Sequence, residues 1–172
     1  MFKFGARSQD NLKLVKQELV EVCRNAILIT EVDFGIYEGL RTIEAERENI
    51  RNGSSHLANP RDCKHCPQFD GFGHAVDAVP FVDGAFRWNW DYCYEVAKAF
   101  QTSALQYGVI IRWGGVWDKK LNDLSTDLDK EVDDYRERFE STHNRKAFLD
   151  GVHFEFAGLV ANNATNDKAL VS

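Results

Sequence analysis

Gly73-His74-Ala75-Val76-Asp77-Ala78-Val79-Pro80-Phe81 is the stretch on which the reading of this chain turns. From His74 to Phe81 it is a compact apolar run of strand length, and a carboxylate sits inside it. An unpaired Asp77 among Ala75, Val76, Ala78 and Val79 would carry a large desolvation penalty. A metal ion or an arginine is the usual partner, and a capping pair would also serve. His74 lies three positions before Asp77, hence on the opposite face of an extended strand. The reading therefore leaves His74 outside any site built around Asp77.

Towards the C-terminus, Val152-His153-Phe154-Glu155-Phe156 reads as a second strand. Alternation puts His153 and Glu155 on one face and sends Val152, Phe154 and Phe156 to the core. Asp150 stands at the turn just before it. Taken alone, His153 reads as a core or surface histidine beside a turn aspartate; taken with other ligands, it is a histidine fixed on a rigid element.

The remaining elements follow from periodicity. Leu12, Val15, Leu19, Cys23 and Ala26 recur at helical spacing and predict a helix over 9–26, capped at Ser8. A strand-like stretch over 27–37, broken by Gly35, leads to a short solvated helix over 42–51. Residues 53–73 are rich in Ser, Asn, Pro, Asp and Gly and predict a long loop, a feature usually functional or mobile in compact domains. A helix over 89–107, a strand over 109–113 ending in Gly114-Gly115, and an acidic helix over 126–142 complete the pattern, with a polar, frayed tail after Ala161. Strands and helices interleave without a strict βαβ rhythm, which makes the class α+β.

The chain has 172 residues, 44% hydrophobic and 28% charged, the size and composition of one globular domain. A net charge of −6 without a basic stripe argues against nucleic-acid binding. No stretch approaches a membrane span, and the first residues lack the pattern of a signal peptide, so synthesis and folding in a cytoplasm are expected. Four cysteines fit that compartment better than a disulfide framework. Cys23 and Cys93 read as small core residues. Cys63-Lys64-His65-Cys66 leaves three readings open: half of a structural zinc site, a redox-labile pair, or plain loop thiols.

Three further segments bear on chemistry. His56 follows Gly53-Ser54-Ser55 in the polar loop, where a histidine is usually just solvated. Arg41, where a strand passes into a helix, could bind a carboxylate or an oxyanion, or form a surface ion pair. Asp123-Leu124-Ser125-Thr126-Asp127-Leu128-Asp129 spaces oxygens like a calcium loop but lacks its glycine and closing glutamate, and reads as the solvated start of a helix.

Together, Ser54-Ser55-His56, Gly73-His74-Ala75-Val76-Asp77 and Asp150-Gly151-Val152-His153 resemble the signature of the D-alanyl-D-alanine carboxypeptidase and dipeptidase family of zinc metallopeptidases. That family includes the L-alanyl-D-glutamate endopeptidases used as phage endolysins. Its pattern is Ser-x-His, a Gly-x-Ala-x-Asp run, and a late acidic-x-x-His. The resemblance spans about 8–156 and implies a single zinc peptidase domain with a small central antiparallel sheet flanked by helices, as in hedgehog and DD-peptidase domains.

The same resemblance implies Zn²⁺ ligands at His56, Asp77 and His153, Asp150 as general base, and Arg41 steadying the oxyanion. Asp150 stands where the carboxypeptidase branch commonly has Glu. Together with Arg112-Trp113-Gly114-Gly115 and Phe148-Leu149-Asp150, it is similar to the endolysin branch. One departure stands out: the family usually has two residues between its first histidine and the glycine of its second motif. Counted from His56, residues 57–72 intervene, which implies an inserted loop at about 58–72.

The expected activity is zinc-dependent hydrolysis of the L-Ala–D-Glu bond in peptidoglycan stem peptides by a monomeric endolysin, with no nucleic-acid partner and no membrane anchor. Such an enzyme would stay in the host cytoplasm until lysis and then act on the cell wall. A D-alanyl-D-alanine carboxypeptidase or dipeptidase, and a non-catalytic zinc-binding domain, are the rival readings.

Overall fold

Asp77 and His153 face each other across two neighbouring antiparallel strands, and the rest of the architecture holds that pair in place. The computed structural model describes residues 1–161. In chain order its elements are α1 (Ala6–Asn11), α2 (Gln17–Ile29), β1 (Phe34–Glu38), α3 (Ile43–Arg51), β2 (Ala75–Val82), β3 (Ala85–Phe86), α4 (Trp90–Tyr107), β4 (Val109–Trp113), α5 (Leu128–His143) and β5 (His153–Leu159). The strands form one antiparallel sheet in the order β1-β2-β5-β4, with the short β3 folded back on β2. The expected α+β architecture, a small antiparallel sheet flanked by helices, is the one found.

The sheet's inner face carries Phe34, Ile36, Val76, Ala78, Ile111, Trp113 and Phe154 into one core with the buried faces of α2 and α4. Phe154 of β5 stacks on Phe100 of α4, ring centroids 3.9 Å apart. That contact fixes the orientation of β5: with Phe154 turned to the helices, the alternation of the strand turns His153 and Glu155 to the other face. Two buried polar side chains between the helices are matched. Ser103 Oγ donates to Val22 O at 2.8 Å, and Gln101 Nε2 donates to Leu121 O and Leu124 O.

Two predicted boundaries change, and one element is added. The helix expected over 9–26 is two helices, because residues 14–16 leave the helical path to bond another segment. Gly73 N–H donates to Leu14 O at 2.9 Å and Lys16 N–H donates to Gly73 O at 2.8 Å. The strand expected over 27–37 begins only at Phe34, because α2 continues to Ile29 and buries Ile27. The β2–β3 hairpin was not anticipated, although Asp83-Gly84 is a strong turn signal: both residues have positive φ, 53° and 73°, the requirement of a tight two-residue turn. The acidic stretch before α5 is the expected helix start, Asp127 accepting from Lys130 N–H as its cap. The tail after Ala161 lies outside the described residues.

Candidate active site

The site grows from the β2–β5 register. Asp77 pairs with His153 across the strands, and their side chains project from the same face of the sheet. The third member arrives from the long loop: His65, held by a backbone ladder on two sides. Arg41 N–H donates to His65 O at 2.9 Å, and His74 N–H donates to Lys64 O at 2.7 Å. Gln68 Nε2 donates to Cys63 O and Cys66 O and closes the turn around His65. Gly73 is required beside it, since a Cβ there would lie 2.9 Å from His65 O.

His65 Nε2, Asp77 Oδ1 and His153 Nδ1 form a near-equilateral triangle, each pair 3.2 Å apart. The far nitrogens set the tautomers. His65 Nδ1 lies 2.8 Å from Gly39 O, a group that only accepts, so Nδ1 carries the hydrogen and Nε2 of the neutral ring is left with its lone pair. His153 Nε2 faces the Glu155 carboxylate at 3.5 Å, which favours the hydrogen on Nε2 and the lone pair on Nδ1. Two imidazole lone pairs and a carboxylate oxygen thus converge on one point, an arrangement able to hold a metal ion.

The charges around that point are strongly coupled. Burial would raise Asp77, but hydrogen bonds from His153 and His65 outweigh it and hold its carboxyl below the ordinary carboxylate range. Burial would lower His153, but the Asp77 and Glu155 carboxylates push it up to about 10. Glu155 is lowered in turn: burial opposes ionisation, while His153 and Arg112, the latter 2.9 Å away, favour it. The carboxylates around His153 favour positive charge at that point, which a divalent cation would supply.

Asp150 lies on the wall of the same cavity, a cleft of about 520 Å³ that also reaches Arg41 and Trp117. Its backbone is fixed by bonds on both sides: its N–H donates to Gly114 O at 2.9 Å and its carbonyl accepts from His153 N–H at 3.2 Å. A Cβ at Gly114 would lie 2.3 Å from Asp150 O, which explains a glycine after β4. Burial raises the Asp150 carboxyl, nearby Asp77 adds to that, and His153 opposes it.

Arg41 reaches the cavity already paired. Its Nε and Nη2 engage the Glu38 carboxylate, and Nη1 donates to Glu46 Oε2 at 2.6 Å. Both carboxylates raise the guanidinium further above its ordinary value, Glu38 most, against the effect of burial. Glu46 is fully buried, and its Oε1 has no partner among the described residues.

His56 is the expected ligand that the structure does not bring to the trio. It is exposed on the rim of the cleft, with its ring edge-on to Phe148 at 4.8 Å, and His65 stands in its place. The polar loop after Gly53 carries no strand or ladder that could press His56 inward, whereas His65 is clamped between residues 39–41 and 73–74. A signal for His65 was present in the sequence. Cys63-Lys64-His65 has a thiol where the family pattern has the serine hydroxyl, two positions before the histidine. Counting from His65 leaves only residues 66–72 before Gly73, seven in place of sixteen. The inserted loop expected at about 58–72 therefore contains a member of the trio.

His74 is outside the trio, its Nε2 donating to the Asp70 carboxylate at 3.0 Å and its ring packed on Phe156. All four cysteines are free and buried. Cys63 and Cys66 are tucked beneath the His65 turn rather than exposed on a loop, and burial raises both thiols.

With this geometry in view, comparison with known proteins is specific. The family model for phage L-alanyl-D-glutamate peptidase matches residues 1–157. The chain is 36% identical over 118 residues to the L-alanyl-D-glutamate peptidase of Escherichia phage T5, covering 68% of this chain and 82% of that one. Its fold superimposes on the crystal structure of the L-Ala D-Glu endopeptidase ChiX of Serratia marcescens with a TM-score of 0.61, at 31% identity and 90% coverage of both chains. An antiparallel sheet that sets Asp77 against His153, a cleft over them, and a family match across nearly all the described residues lead to one conclusion: this chain belongs to the phage L-alanyl-D-glutamate peptidase family.

Proposed function

We propose that the protein is a zinc-dependent endopeptidase that cleaves the L-Ala–D-Glu bond of peptidoglycan stem peptides, working as a phage endolysin. The observation that carries the zinc assignment is the triangle of His65 Nε2, Asp77 Oδ1 and His153 Nδ1 with sides of 3.2 Å. Tetrahedral coordination with bonds of about 2.0–2.1 Å sets ligand atoms about 3.3 Å apart, so the triangle fits one face of such a site. Two nitrogens and one carboxylate oxygen suit Zn²⁺, which with three protein ligands would keep a position open for water.

Zinc in that position supplies Lewis acidity towards the scissile carbonyl and lowers the pKa of water. The chain's own groups do the rest. Asp150, fixed by Gly114 and His153 at the cleft wall, accepts the proton from the attacking water and returns it to the departing D-Glu nitrogen. Arg41, clamped by Glu38 and Glu46 and with Nη1 also 3.8 Å from Cys63 Sγ, retains one N–H on Nη2 for the oxyanion.

In this reading the enzyme accumulates in the host cytoplasm and reaches the wall once the membrane is opened. None of the described helices is long and apolar enough to cross a membrane. The family match and both relatives favour L-Ala–D-Glu over D-Ala–D-Ala cleavage. The test is mass spectrometry of purified peptidoglycan digested with native, chelator-stripped and zinc-restored protein. New N-terminal D-Glu, lost on stripping and regained with zinc, is the expected result; release of terminal D-Ala alone would contradict it.

A further inference from the structure

The cleft is acidic where the substrate is acidic. Asp77, Asp150, Glu155, Glu46 and Asp62 all line it, and a stem peptide joined through the γ-carboxyl of D-Glu carries a free α-carboxylate one carbon from the scissile nitrogen. An anion entering such a cleft is repelled unless a cation receives it. Three lysine and arginine side chains line the cleft: Arg41, Lys64 and Arg145. Arg41 is held by two carboxylates. Lys64 Nζ donates to Gln68 Oε1 at 3.5 Å, and its charge acts on Glu155. Arg145 differs from both.

Among the described residues no carboxylate lies within ion-pair distance of Arg145. Its guanidinium lies 5.3 Å from the Phe139 ring centroid, an arrangement that supports the planar group and leaves its edge N–H groups available. It follows Asn144, the left-handed cap of α5 (φ 51°), on the segment that runs on through Phe148 to Asp150. Arg145, Phe148 and Asp150 thus line the cleft from one connection. A second unmet donor belongs to the same wall. Trp117, stacked on Phe148 at 6.0 Å, has a buried Nε1–H with no acceptor among the described residues.

We infer that Arg145 binds the α-carboxylate of the D-Glu residue and so makes the enzyme selective for stem peptides in which that carboxylate is not amidated. The inference rests on the peptidase reading above. A carboxylate meets the guanidinium fork in two parallel hydrogen bonds, whereas a neutral amide offers one acceptor and no charge. Arg145 is a specificity-determining residue in this account and takes no part in proton transfer.

The test uses two synthetic stem peptides, one with D-Glu and one with its α-amide, D-isoglutamine. Each is cleaved by the zinc-loaded native protein, by Arg145→Met and by Arg145→Lys. Arg145 is exposed, so both variants are expected to fold, which circular dichroism and zinc content check. The native protein should prefer the carboxylate peptide by about 10- to 100-fold in kcat/KM, the contribution of one charge-assisted pair, mainly through KM. Arg145→Met should bring the two peptides level, and Arg145→Lys should restore part of the preference. Equal cleavage of both peptides by the native protein, or an unchanged preference in Arg145→Met, overturns the assignment while leaving the peptidase reading intact. A native protein that cuts neither peptide between L-Ala and D-Glu overturns both.

Discussion

His65 and His153, 88 residues apart in the chain, present Nε2 and Nδ1 to each other at 3.2 Å, with Asp77 Oδ1 at the same distance from both. Each imidazole is turned by an acceptor on its far side, Gly39 O for one and the Glu155 carboxylate for the other. The site is therefore organised by the protein's own hydrogen bonds, and the function proposed for it can be separated experimentally into metal holding, proton transfer and oxyanion binding.

Proton transfer is assigned to Asp150, which lines the cleft but is not one of the three converging groups. Asp150→Asn preserves shape and removes the base. It should keep zinc bound and lower kcat by about 10²- to 10⁴-fold, the range for loss of a general base. Zinc content by elemental analysis and turnover on a synthetic stem peptide check both halves; an Asp150→Asn protein with native turnover would remove Asp150 from the mechanism.

Arg41 has a structural role alongside its proposed catalytic one. Arg41→Ala leaves the buried Glu46 without its cation and should destabilise the fold by about 3 kcal/mol or more. Adding Glu46→Gln removes the stranded charge and should recover part of that stability without recovering activity. Urea unfolding and kcat measured on the single and double variants separate the roles. Recovery of activity together with stability would show that Arg41 acts on the fold alone.

The loop that delivers His65 is tied down at its far end by Asp70, which bonds Lys16 Nζ at 2.9 Å and His74 Nε2 at 3.0 Å and accepts from Phe72 N–H. Lys16 first, and then His74 against the opposing effect of desolvation, hold the Asp70 carboxyl well below the usual range. A depressed carboxylate contributes stability that is fully present above its unfolded pKa of about 3.9 and is lost as pH falls through the lower folded value. Asp70→Asn should therefore lower the unfolding temperature at pH 7, and the gap from the native protein should narrow as pH drops below about 3.9. A gap that stays constant with pH would mean that the substitution acts through packing.

How much of this was legible in the sequence depended on how local the cause was. The face shared by His153 and Glu155 followed from strand alternation, and α4 and α5 from helical periodicity, because those patterns lie within a single element. The break between α1 and α2 comes from Gly73 bonding residues 14–16, a contact between segments far apart in the chain that no periodicity records. That His65 and not the expected His56 stands beside Asp77 and His153 has a related reason. Ser54-Ser55-His56 matched the motif by residue type, but which histidine reaches Asp77 and His153 is set by which part of a long loop is clamped against Gly39, Arg41 and His74. The gap to Gly73 favoured His65, and a cysteine in the serine position concealed it.

The central claim is that His65, Asp77 and His153 hold the metal on which activity depends, and that His56 does not. Zinc stoichiometry of the native, His65→Ala and His56→Ala proteins, measured with their turnover, tests it most directly. The account predicts one tightly bound zinc in the native protein and in His56→Ala, with both active, and neither zinc nor activity in His65→Ala. Zinc retained with full activity in His65→Ala, or lost in His56→Ala, would contradict it.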